Sequence, residues 1–509
     1  MCSVFGLPLF AAALLACASA LVSAPAPTPA PKLKAGFAYA DITPDLGMEQ
    51  PGGYGKSFHR SFHDACKVRA AVFDDGRKIA AVVGLDLLAI PRSVVLDARA
   101  QIEKATGIKP DAVLLCASHS HSSGPIGMVQ PGEYDTADET VRRLAYEESS
   151  MADKGFLLHL ARQITLAVKN AHATRAPVSL GYGFGHEDKV AFNRRLRMKN
   201  GQSWSHPGAG NPDILGYAAP IDPQVGVVAA WDARGQLAGV LVNYACHATT
   251  NPGGISANWP YYLERTIQGA LQAAVPVVFL QGASGDVTQV DNLSPHPRPG
   301  AEEWAQQVGG RIGAEAVKTI LLMARSGEAT VDFKSTLLSI PRRAPADSTL
   351  TKARAVVAAG KPKGENSEWI FAKETLMLDH LIRVSPRVEV EVQAIQVGPA
   401  VFVSNPAEYF VAYGQRIKQE SPFAFTFPCE LANGCVGYVP TEEAFGPNGG
   451  GYETRLTSYS NLEITAGTQI ADAGIALAKT FKPDAAPTRP VVPFSGRPWL
   501  YGNVPPGVR

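Results

Sequence analysis

The sequence predicts an α/β fold in which mixed β-sheets are covered by helices. Three observations carry that prediction. Short apolar runs bounded by Gly and Pro have the pattern of strands packed on both faces. A local arrangement of strand, tight turn, strand, helix and strand recurs three times, so the fold reads as repeated hairpin-helix-strand units. The composition is that of a large, loop-rich globular protein: of 509 residues 46% are hydrophobic and 18% charged, with Gly 48 and Pro 39 to supply turns.

The elements follow in chain order. Residues 5–22 are apolar and precede the small-residue patterns Ala18-Ser19-Ala20 and Val22-Ser23-Ala24, so residues 1–24 read as an export signal and the protein as secreted or periplasmic. Leu14-Leu15-Ala16-Cys17 offers the alternative of a lipoprotein signal, with the chain lipid-anchored at Cys17. Residues 25–33 form a stiff Pro/Ala linker. The first repeat is a hairpin over 68–88 turning at Asp75-Gly76, a helix over 93–105 and a short strand ending at His119. The second is a hairpin over 225–250 turning at 232–235, a helix over 257–273 and the strand PVVFLQ. The third is a hairpin over 388–410 turning at Gly398-Pro399, a helix over 408–419 and the strand FAFTF. Between them, 341–382 reads as a charged helical insertion or cap, and the long Gly/Pro/Asn-rich stretches 197–223 and 440–463 as site loops. Residues 483–509 carry seven prolines and read as an extended tail.

Charge narrows the function. Lys and Arg total 47 against 46 Asp and Glu, a net of +1, a balance that speaks against nucleic acid or an anionic membrane surface as partner. Beyond the N-terminus no apolar run reaches the ~20 residues of a spanning helix. Cys66, Cys116, Cys246, Cys429 and Cys435 follow the signal; Cys116 and Cys246 lie in apolar runs, and Cys429 and Cys435 are spaced for a small loop disulfide.

The chemistry-bearing residues stand where strand runs end. Ser118-His119-Ser120-His121 puts two imidazoles two residues apart, able to face the same way on extended backbone. His247 ends the second hairpin and Glu408 the third. Sites in sheet proteins gather at carboxyl ends of strands. Two histidines and one carboxylate are a ligand set of catalytic zinc. Gln281-Gly282-Ala283-Ser284-Gly285-Asp286-Val287-Thr288 is a Gly-rich turn after a strand, and Asp286 stands where a nucleophile elbow would need its last Gly.

At these residues the chain resembles the catalytic domain of the neutral (alkaline, non-lysosomal) ceramidases. AGFAYADITP resembles the family's opening, and His119-Ser120-His121 with the following Ser-Gly-Pro its His-Thr-His-Ser-Gly-Pro motif. NYACHATT, QGASGDVT, NPAEYF and NGCVGYVPTEEAF resemble its later motifs in the same order, over roughly residues 34–480. The resemblance implies a ceramidase-like catalytic domain over 34–482 in which His119, His247, Glu408 and Tyr438 ligate one Zn²⁺ per chain. It also implies that His121 is a catalytic histidine beside the metal and that Arg194 lies near the substrate oxygen. The implied activity is hydrolysis of the N-acyl amide of ceramide or a related lipid, releasing a fatty acid and a sphingoid base, with peripheral membrane contact through the substrate. The resemblance ends near residue 480, so the expectation is a short form without the family's immunoglobulin-like C-terminal domain.

Thr288 stands where the family has its serine nucleophile. Two routes follow: Thr288 attacks the carbonyl while His121 shuttles the proton, or metal-activated water attacks and Thr288 positions substrate. Four fixed protein ligands usually mark a structural zinc site, so Tyr438 would have to bind weakly or leave. The alternatives are a zinc hydrolase of another amide, ester or lactone, or a non-catalytic metal-stabilised homologue.

Overall fold

The computed structural model describes Met1 and residues 33–364, 366–494, 496–497, 499–502 and 506–508. The segments expected to be an export signal and a linker, with Cys17, lie outside the described residues up to residue 32. An eight-stranded sheet contains β1 (Lys34–Asp41), β2 (Lys67–Asp74), β3 (Ile79–Leu85), β4 (Val113–Ala117), β5 (Ala176–His186), β6 (Gln224–Asp232), β7 (Leu237–Tyr244) and β8 (Val277–Gln281). Its order is β8-β7-β6-β5-β1-β2-β3-β4. A four-stranded sheet contains β9 (Val331–Pro341), β10 (Arg387–Val397), β11 (Ala400–Ser404) and β12 (Phe425–Cys429), in that order. The helices are α1 (Arg92–Thr106), α2 (Glu139–Tyr146), α3 (Lys154–Ala173), α4 (Trp259–Leu271), α5 (Ala301–Leu322), α6 (Asp347–Ala358), α7 (Ser367–Val384), α8 (Val411–Glu420) and α9 (Ala466–Lys479).

The sequence repeat is a repeat of topology. Each unit has an antiparallel hairpin, an added antiparallel strand before it, and after a helix a strand parallel to the hairpin's second strand. These are β1 to β4, β5 to β8 and β9 to β12. The hairpin turns place Gly76, Gly235 and Gly398 at φ 82, 78 and 63, which a Cβ would strain. β1 and β5 join the first two units edge to edge, Ala35 opposite Ala176.

One core draws on all three units: Val72 and Leu115, Leu241 and Val278, Phe402 and Phe427. Helix pairs cover the outer faces. α4 and α5 use Trp259, Leu263 and Ile312; α8 and α9 use Tyr413, Ile417 and Ile470. α3, which no motif marked, presents Phe156, Leu160, Ile164 and Val168 at four-residue spacing, and Asp153 caps it by accepting from Phe156 N. Each such Leu or Ile, fully buried, contributes roughly 1.5–3 kcal/mol.

The link between the first two strands of each unit is long in every case: 42–66, 187–223 and 342–386. The second contains the stretch 197–223 expected as a loop, and it holds a small sheet of Arg195–Met198, Ser203–Ser205 and Ile214–Tyr217. The third is the anticipated cap, α6 and α7 packing with α2 around Leu144, Trp369 and Leu376. Residues 483–494 carry neither helix nor strand.

The disulfide reading is corrected. Among the described residues all five cysteines are free thiols. Cys429 ends β12 in the common core and donates to Phe427 O, whereas Cys435 packs at the edge of that core and donates to the Tyr459 hydroxyl at 3.4 Å.

Candidate metal centre

Because β4 runs parallel to β3, β8 to β7 and β12 to β11, the last two strands of each unit end on the same side. The histidines and the glutamate leave those ends. His119 follows β4 with φ 65, a left-handed conformation that costs an L residue roughly 1–2 kcal/mol. His247 follows β7. Glu408 follows β11, and here the expectation of a helix from 408 fails. Glu408–Tyr409 form a two-residue strand parallel to Tyr438–Val439, and α8 starts only at Val411. That pairing sets Glu408 directly opposite Tyr438.

The three side chains converge. Glu408 Oε2 lies 3.2 Å from His119 Nε2 and 3.2 Å from His247 Nε2. His119, His247 and Glu408 are all buried and form the metal-competent group found among the described residues. Each ring is oriented from behind: His119 Nδ1 donates to Leu88 O at 2.9 Å and His247 Nδ1 to Val287 O at 3.1 Å. Both Nε2 atoms therefore turn lone pairs toward the carboxylate oxygen, and neither imidazole supplies a proton between them. A cation resolves that arrangement. Ligand atoms at zinc distances on a tetrahedron are about 3.3 Å apart, so the residues fit Zn²⁺. Burial, with Arg194 and His119 beside it, lowers the His247 imidazole to about 3, which keeps it in the neutral ligand form.

The other expected residues surround this group. The Tyr438 hydroxyl is 3.5 Å from His247 Nε2, and burial raises its phenol well above the ordinary range. His121 Nε2 is 3.3 Å from His119 Nε2, and burial lowers His121 well below the usual imidazole value. Arg194 is buried; Nε donates to Glu453 at 2.7 Å, Nη2 to Gly285 O at 2.8 Å, and Nη1 points at His247 Nε2 at 3.1 Å. Burial opposes its charge, but Tyr438, Tyr452 and Glu453 outweigh that and hold it cationic. Thr288 is the outlier. Its hydroxyl donates to Gln289 Oε1 at 3.2 Å and accepts from Val290 N at 3.3 Å, with no bond to His121 among the described residues. Asp286 anchors loops, accepting from Val411 N and Asn193 Nδ2 at 2.8 Å each.

Three residues that the motifs did not single out complete the site. Tyr452 donates to the Tyr438 hydroxyl. Tyr459 donates to Glu408 Oε1 at 2.8 Å. Glu453 holds Arg194. All three lie in the 440–463 loop, whose length was the only signal. A fourth contact comes from the 42–66 link: Gly52 has φ +106, and a Cβ there would lie 2.3 Å from His121 Nδ1. α7 secures this strap, since Lys373 Nζ donates to Tyr54 O at 2.6 Å while Glu374 accepts from Ser458 Oγ at 2.5 Å.

No family model matches the chain. It is 28% identical over 327 residues to the neutral ceramidase of Pseudomonas aeruginosa, covering 60% of this chain and 45% of that protein. The chain thus matches less than half the length of that curated relative. The crystal structure of neutral ceramidase from Pseudomonas aeruginosa superposes with a TM-score of 0.64 at 20% identity, over 91% of this chain and 77% of the other. A structure of a ceramidase complexed with C2 gives 0.63, with the same coverage. In sequence and in fold this chain is a homologue of the neutral ceramidases.

Proposed function

We propose that the protein is a zinc-dependent amidohydrolase that cleaves the N-acyl amide of ceramide or a related lipid. The observation that carries this reading is the convergence of two imidazole lone pairs and one carboxylate oxygen at 3.2 Å in a buried pocket, on the fold of a ceramidase. Zn²⁺ held by His119, His247 and Glu408, with Tyr438 beside them, would polarise a carbonyl and bring bound water near pKa ~7. The surrounding residues supply the rest. His121, 3.3 Å from His119 Nε2, is held neutral by burial and so is free to receive a proton during reaction, although the same burial weakens it as a base. Arg194 Nη1 and the Tyr438 hydroxyl aim donors at the same space, with Tyr452 donating to Tyr438 from behind, and an oxyanion there would be stabilised by ~3 kcal/mol per donor. The Thr288 hydroxyl is engaged with Gln289 and has no base at hand, which favours water over Thr288 as nucleophile. The export-type N-terminus places the reaction, in this proposal, in the periplasm or outside the cell.

The test is zinc content per chain for the purified protein and for His247→Ala, followed by hydrolysis of N-acyl sphingosines against short soluble amides. About one zinc in the wild type, lost in the variant together with amide hydrolysis, is the expected result. Well-folded wild type that takes up no zinc when supplied with it refutes the proposal.

A further inference from the structure

A cavity of about 530 Å³ opens beside the metal group without including it. Tyr459 forms part of its wall, and none of His119, His247, Glu408 and Tyr438 lines it. The volume lies within the ~300–1,000 Å³ usual for small-molecule sites. Leu88, Ile126, Leu381 and Val388 give it apolar sides. Three polar side chains of the lining each keep an atom with no protein partner among the described residues, and of these atoms only that of Gln130 is fully buried. Gln130 donates through Nε2 to Ile126 O at 3.2 Å and Gly127 O at 3.0 Å, which fixes the amide and leaves Oε1 buried without a donor. Glu133 accepts from Gln130 N through Oε2 at 3.0 Å, and among the described residues no donor reaches Oε1. Arg342 commits Nε to Ser385 O at 2.9 Å and Nη1 to Asn461 Oδ1 at 2.6 Å, which leaves Nη2. Glu133 and Arg342 feel one another's charge, yet no ion pair joins them among the described residues. A native fold keeps an orphaned buried acceptor where a ligand or water completes it.

We infer that this cavity is a second ligand site, for a small zwitterion of the α-amino-acid class with an apolar side chain. Arg342 Nη2 takes the carboxylate, Glu133 and Gln130 Oε1 take the ammonium, and the apolar sides take the side chain. The inference rests on the cavity's own lining and does not depend on the hydrolase reading. A ligand seated there touches the metal group through a short chain: Cys435 Sγ lines the cavity and donates to the Tyr459 hydroxyl at 3.4 Å, which donates to Glu408.

Cys435 is also the reporter. It is half-buried, whereas Cys66, Cys116, Cys246 and Cys429 are buried. Methyl methanethiosulfonate transfers its methylthio group to a thiol: a disulfide bond forms, methanesulfinate leaves and the thiol proton goes to water. Peptide mapping of the full-length protein by mass spectrometry follows the rate at Cys435. Phenylalanine, 3-phenylpropionate and phenethylamine are the competing probes. Phenylalanine at ten times its Kd should slow the labelling about tenfold, with the two monopolar analogues far weaker. Glu133→Gln, which keeps the shape and removes the charge, should reduce the protection by phenylalanine and leave the unprotected rate unchanged. Equal protection by the monopolar analogues, no protection up to the solubility of phenylalanine, or no labelling of Cys435 would each overturn the inference.

Discussion

Replacing Tyr459 by Phe removes one oxygen and tests whether the metal group is held from outside its ligands. The Tyr459 hydroxyl donates to Glu408 Oε1 at 2.8 Å while Oε2 faces both histidines at 3.2 Å. That bond fixes which carboxylate oxygen points inward. A hydrogen bond to a charged group contributes about 1.5–3 kcal/mol. At about 1.4 kcal/mol per factor of ten, its loss corresponds to roughly a 10- to 150-fold weaker metal affinity. Partners behind metal ligands independently suggest 10–100-fold. The apolar body of the ring is retained, so the fold should survive with little change in thermal midpoint. Competition with a chromophoric chelator measures zinc affinity, and circular dichroism checks the fold. Affinity unchanged within about threefold in a folded variant would refute the claim that Tyr459 orients Glu408, and would leave backbone pairing with Tyr438 as the sole determinant.

Further predictions test the site's other parts. Thr288→Ala should keep zinc and most amide hydrolysis, because its hydroxyl is engaged by Gln289 and Val290; a ~10²-fold loss together with a trapped acyl-Thr288 in the wild type would instead make Thr288 the nucleophile. Gly52→Ala pushes a methyl against His121 and should lower turnover by about 10²-fold with zinc content unchanged, whereas full activity would show that the strap does not position His121. His206 reports on acid stability: burial lowers its pKa to about 4, while the unfolded chain protonates near 6.5. The unfolded state therefore gains the proton first, and stability falls from pH ~6.5 to ~4 by up to about 1.4 kcal/mol per pH unit. His206→Asn suits the residue's φ of 49 and should remove that slope, so urea midpoints of the two proteins should diverge in acid; a constant gap across pH would contradict the assignment.

Much of this was legible in the chain because it is local. Asp75-Gly76, Asp232 to Gly235 and Gly398-Pro399 each mark a turn between β-branched runs, and all three hairpins form. A hairpin and the helix after it need only their own periodicity, so the three units stood out without knowledge of how they pack. The same holds for His119, His247 and Glu408, which stand at strand ends that can be counted off the sequence. The helix expected from Glu408 shows the limit. Its dipeptide pairs instead with Tyr438, 30 residues on, and no local pattern distinguishes a helix start from a strand whose partner is remote.

The sequence by itself determined the strands, the turns, the repeat and the ligand types, since these follow from side-chain spacing, from glycine's tolerance of positive φ and from imidazole and carboxylate chemistry. Only the tertiary structure decided that strand ends from three separate units meet within 3.2 Å, that Tyr452, Glu453 and Tyr459 complete the site, and that Thr288 faces Gln289 instead of a base. The reason is physical. Apart from the neighbours Thr288 and Gln289, those contacts join residues 14 to 289 positions apart, and their geometry is set by the shared core on which the three units close.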